Sequence, residues 1–133
     1  MSTRPLAKFK LPVVLPWLVF IGWSVLVLWA SLDARPFRPL VRMLSWDKLQ
    51  HASAYALLTL FGGLALRTLM RSRPFWCWLI AFIFSLGYGA VVEVLQHTMT
   101  RSRRGDPLDL LADLVGSLVV IAIILPLEIK AQR

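Results

Sequence analysis

The chain has 133 residues, of which 58% are apolar and 17% charged, with a mean hydropathy of +0.69 and a formal net charge of +8. That length allows one compact unit, and the charged fraction lies below the ~25% of a soluble domain. The apolar residues come in long blocks with no charged face, which excludes an amphipathic soluble bundle. The basic residues fall in short segments between those blocks, where lipid headgroups rather than nucleic acid account for them.

The first block runs from about Leu11 to Ser31, behind Arg4, Lys8 and Lys10. It exceeds the ~7–15 apolar residues of a cleavable signal and no small-x-small site follows, so it reads as a retained span. Pro12 and Pro16 fall in its first turns, where a missing N–H matters least. The second block, Leu49 to Leu66, is rich in small residues (Ala52, Ser53, Ala54, Ala56, Gly62, Gly63, Ala65) and is expected to pack centrally. The third runs from Phe75 to about His97, with Gly87, Gly89 and Ala90 near its middle; Cys77, the single cysteine, lies inside it and has no intrachain partner. The fourth runs from about Leu108 to Leu125, with Ala112, Gly116 and Ser117 as packing positions. At ~1.5 Å per residue each block reaches across a ~30 Å hydrocarbon layer. The expected fold is therefore all-α, an integral membrane bundle of four transmembrane helices with both termini on one side. Trp29 and Trp46 suit one interface, and Trp17, Trp76 and Trp78 the other.

With this topology, Arg4, Lys8, Lys10, Arg67, Arg71, Arg73, Lys130 and Arg133 share the side of the termini. Arg35, Arg38, Arg42, Lys48, Arg101, Arg103 and Arg104 share the other. The two sides are nearly balanced, and the N-terminal cluster tips the expectation to cytoplasmic termini. The acids are lopsided: Asp33, Asp47, Glu93, Asp106, Asp109 and Asp113 gather at the end away from the termini, and only Glu128 does not.

Three sequence-distant segments thus bring ionisable groups to one layer. Asp47, His51 and Tyr55 recur at i, i+4, i+8; Glu93 and Gln96 at i, i+3; and Asp106, Asp109, Asp113 and Gly116 form one helical stripe. An ionisable group in a span costs about 2.5–3.5 kcal/mol at the centre, and a functional site is its default reading. The bland alternatives are that Asp47 and Asp106 cap helices, and that His51, Glu93 and Asp113 form a polar network that only fixes packing. Asp47/His51 and Glu93/His97 are acid–His pairs at i, i+4, a spacing that also arises by chance; no metal and no cofactor is expected.

The segment Asp47-Lys48-Leu49-Gln50-His51, followed by Tyr55, resembles the Asp-Lys-x-x-His…Tyr signature of VanZ-like membrane proteins. Glu93-Val94-Leu95-Gln96 resembles that family's Glu-x-x-Gln. The run from Arg103 through Gly105-Asp106 to Asp109, Asp113 and Gly116 resembles its Arg-x-Gly-Asp-x-x-Asp-x-x-x-Asn-x-x-Gly, with Asp113 standing where the family often has Asn. The resemblance spans about Trp46 to Val120 and implies one four-helix domain over residues 1–133, in the bacterial inner membrane. The family's named member is associated with low-level resistance to teicoplanin, a glycopeptide acting on cell-wall precursors.

The expected binding set is Asp47, Lys48, His51, Tyr55, Glu93, Gln96, Arg103, Asp106, Asp109 and Asp113. Its expected partner is an anionic membrane lipid or a lipid-linked cell-wall precursor at the outer face. Arg101, Arg103, Arg104 and Lys48 would grip phosphate, while Glu93, Asp109 and Asp113 hold those cations in place. Two other classes stay open. One is an intramembrane enzyme acting on lipid, with His51, Glu93 and Asp113 as the candidate catalytic residues. The other is a small ion-coupled carrier titrating Glu93 or Asp113, which at this size would call for a homodimer.

Overall fold

The computed structural model describes residues 13–33, 47–99 and 106–131. They form four helices: α1 (Val14–Leu32), α2 (Asp47–Leu69), α3 (Pro74–Met99) and α4 (Pro107–Ala131). All four are long and apolar enough to cross a membrane, so this is a multi-pass membrane protein with both ends of the bundle chain on one side. The basic loop residues Arg35, Arg38, Arg42, Arg101, Arg103 and Arg104, together with Trp46, lie outside the described residues.

α2, α3 and α4 run longer than their apolar blocks, while α1 starts three residues after the expected Leu11. α2 begins at Asp47 rather than Leu49, because a first-turn carboxylate faces unpaired backbone N–H groups and suits that position. α4 continues six residues past the expected end at Leu125, straight through Pro126. In lipid a proline inside a helix is tolerated because neighbouring groups re-satisfy the freed backbone. Glu128, two residues on, is tied to α2 by an ion pair with Arg67 at 2.8 Å.

α2, α3 and α4 touch one another, and α1 leans on α2 and α3 without reaching α4. Small residues set the close approaches. A Cβ on Gly116 would overlap the backbone of Ala52, so α4 lies directly on α2. Gly63 is covered by the indole of Trp78, which is wholly buried. This corrects the interfacial placement of Trp78: the ring fills the hollow over Gly63 of α2 instead of facing headgroups. Trp17, by contrast, donates to Thr68 Oγ1 at 3.2 Å, and Trp76 stays exposed. α1 buries only Val27 and Ser31, and is held by single bonds such as Trp23 Nε1 to Ala54 O at 2.9 Å and Tyr88 Oη to Ser24 O at 2.5 Å.

Candidate functional site

The N-terminal ends of α2 and α4 and the C-terminal end of α3 meet in one polar layer. Asp106 caps α4: its Oδ1 accepts the N–H of Leu108 at 2.9 Å, while its own N–H donates to Glu93 Oε2 at 2.9 Å. The cap therefore also locks α4 to α3. The ammonium of Lys48 on α2 reaches Asp106 Oδ2 at 2.5 Å and also binds Asp109 Oδ1. One side chain thus ties the start of α2 to both carboxylates of the α4 start.

Deeper by one turn, His51 Nδ1 lies 3.0 Å from Asp113 Oδ1. A carboxylate oxygen can only accept, so the imidazole presents its N–H at Nδ1. Nε2 is left facing Asp109 Oδ2 at 3.7 Å. Tyr55, a further turn down α2, stacks on His51 with ring centroids 6.3 Å apart and planes inclined by 4°. Three buried oxygens in this layer have no hydrogen-bond partner among the described residues: Tyr55 Oη, Glu93 Oε1 and Asp113 Oδ2. Gly89 on α3 makes room for two of these groups, since a Cβ there would stand 2.7 Å from Asp113 Oδ2 and 3.1 Å from the Tyr55 ring.

The expected set is thus largely assembled. Lys48, His51, Glu93, Asp106, Asp109 and Asp113 are joined in one network, with Tyr55 against its floor. Asp47 lies one turn before His51, exposed at the rim. Gln96 takes another direction: it is buried and donates to Ser31 O at 3.0 Å, bonding α3 to α1. Arg103 lies outside the described residues. The sequence marked Ser117 only as a packing position and did not single out Ser85; the two stand 3.5 Å apart beneath the layer and both approach the carbonyl of Tyr55. Their signal was only that both sit one or two positions from a packing glycine or small residue.

A groove of about 340 Å³ opens between α1 and α2. Its walls are mostly apolar, from Trp23, Leu26, Val27, Trp29, Ala30 and Leu57, and its polar end is formed by Asp47, Gln50 and His51.

Asp106 sits just outside the span, and its bonds from the Lys48 ammonium and the Leu108 N–H hold its carboxyl below the usual range. A depressed folded-state pKa contributes stability above the unfolded value, and that contribution is lost as pH falls through the folded value. Wild type is therefore expected to melt higher than Asp106→Asn, which keeps a capping oxygen, at pH 6–8. The gap should close as pH drops below the ordinary carboxylate range near ~4. Melting curves of both proteins in one detergent across pH check this; a gap that persists in acid would contradict the ion pair.

Compared with the profiles of known families, with curated proteins and with solved structures, the chain matches none.

Proposed function

We propose that this protein is a VanZ-like component of the bacterial cell envelope that binds an anionic lipid or a lipid-linked cell-wall precursor at the outer face of the inner membrane. The observation that carries this reading is the groove between α1 and α2. It is a furrow lined by hydrocarbon and aromatic side chains that terminates on ionisable groups, the shape and polarity of a lipid with its headgroup at the membrane surface. α1 is the helix least committed to the bundle, so a chain can lie beside it without displacing core contacts.

Lys48 is engaged by Asp106 and Asp109, so in this reading it positions the layer, and the phosphate is met by Arg101, Arg103 and Arg104. The polar layer faces outward and the termini lie in the cytoplasm. A link to glycopeptide resistance such as that to teicoplanin rests on the resemblance of the three motifs.

Native mass spectrometry of the protein released from detergent should show a retained phospholipid. Ala30→Trp, which narrows the groove, should reduce that retention by ~10-fold, one decade of affinity or about 1.4 kcal/mol, with helix content unchanged. Arg103→Ala should abolish it. Retention that survives both changes would defeat the reading.

A second reading is favoured by the His51–Asp113 contact: an enzyme acting on a lipid substrate, in which Asp113 orients His51 and Nε2 serves as general base, with Glu93 as a further candidate acid or base. Turnover of a retained lipid that is lost in His51→Gln, with binding preserved, would select it over simple binding. A carrier reading, with a homodimer enclosing the path, would instead leave lipid retention unchanged in Arg103→Ala.

A further inference from the structure

We infer that Asp47, His51 and Asp109 form a binding site for a divalent transition-metal ion. One donor atom from each lies within 4.8 Å of the other two. The corners of a tetrahedron with metal–ligand arms of ~2.0–2.1 Å stand ~3.4 Å apart, so small side-chain rotations close the set. His51 Nε2 and Asp109 Oδ2, at 3.7 Å, are already near that spacing.

Two of the three donors, His51 and Asp109, are prepared by a neighbour that holds their other atom. Asp113 accepts from His51 Nδ1, which fixes the tautomer that leaves Nε2 basic and aimed at the cluster, the arrangement by which a carboxylate behind a histidine orients a metal ligand. Lys48 occupies Asp109 Oδ1, leaving Oδ2 toward His51. His51 is nine-tenths buried, yet Nε2 makes no hydrogen bond among the described residues. Asp47 precedes it by one helical turn on the same face of α2.

One imidazole and two carboxylates suit zinc or manganese better than calcium or magnesium, which take oxygen donors alone. Three protein ligands leave a fourth position open, and because Asp47 and His51 also border the groove, that position faces it. The metal site stands whether or not a lipid occupies the groove.

The test uses the full chain in detergent, stripped by a chelator and titrated calorimetrically with Zn²⁺ alone. One ion per chain is expected. Asp47→Asn, an exposed change with no packing consequence, should weaken binding by ~10–100-fold, and His51→Gln by at least as much. His97→Gln, which removes the other histidine, should bind like wild type. The site is refuted if wild type shows no saturable one-to-one binding, if Asp47→Asn binds like wild type, or if His97→Gln weakens binding equally. Retained lipid is measured on the same samples, so loss of the metal site alone leaves the lipid reading untouched, and the reverse.

Discussion

Gly116→Ala is expected to destabilise the bundle by ~3 kcal/mol, the upper end of what overpacking costs. The added Cβ would stand 2.7 Å from the carbonyl carbon and 2.9 Å from the Cα of Ala52, besides overlapping its oxygen. These are backbone atoms, which cannot swing aside as a side chain does, so α4 has to move off α2. That same movement pulls Asp113, one turn before Gly116 on α4, away from His51, one residue before Ala52 on α2. Gly87→Ala provides the contrast, because a Cβ there meets nothing within 4 Å, and the change removes a flexible residue from a helix interior. Unfolding in mixed micelles should show a large loss for the first and none for the second. Equal behaviour of the two would mean that α2 and α4 are not in contact at this point.

His51→Leu is the second large effect. It leaves Asp113, which is fully buried, with neither oxygen partnered, since Oδ2 already lacks a partner. Removing one member of a buried charged pair costs about 3–5 kcal/mol, while replacing both members by apolar groups is often neutral. The double variant His51→Leu/Asp113→Leu should therefore recover at least half of the loss. A double variant less stable than either single one would show that the two residues contribute independently and that the contact is incidental.

The reach of the sequence is clearest on the helix stripes. Asp47, His51 and Tyr55, and Asp106, Asp109, Asp113 and Gly116, could be grouped because the 3.6-residue turn puts them on one face whatever surrounds it. Lengths and apolar blocks likewise yielded four spans. Spacing along one helix carries no information about how that helix is rotated against its neighbours. Glu93 and Gln96 illustrate this: three residues apart, one joins α4 through the Asp106 N–H and the other joins α1 through Ser31. Trp78 fails for the same reason, because the interfacial preference of tryptophan holds only for a ring facing lipid. Gly63 on α2 was the available sign that a large ring would be accommodated there. The end of α4 was misplaced because Pro126 reads as a stop in water, whereas a span in lipid has no solvent to take up the freed carbonyl and continues. That Asp109 would hold Lys48 was expected, but that Asp106 engages the same ammonium could not be read from spacing along one helix.

The central position of α2 also bears on the order of biosynthesis. α2 is the least apolar of the four spans and the most enclosed, yet it leaves the ribosome before the helices that enclose it. The partner of His51 follows it by 62 residues, which at ~5–20 residues per second is a delay of roughly 3–12 s. During that interval Lys48, His51 and Asp47 are in the chain without their α4 counterparts. The arrival of α4 is thus the step that closes the polar layer. A chain halted before Pro107 would present an α2 that the bilayer alone holds weakly, a natural substrate for membrane quality control.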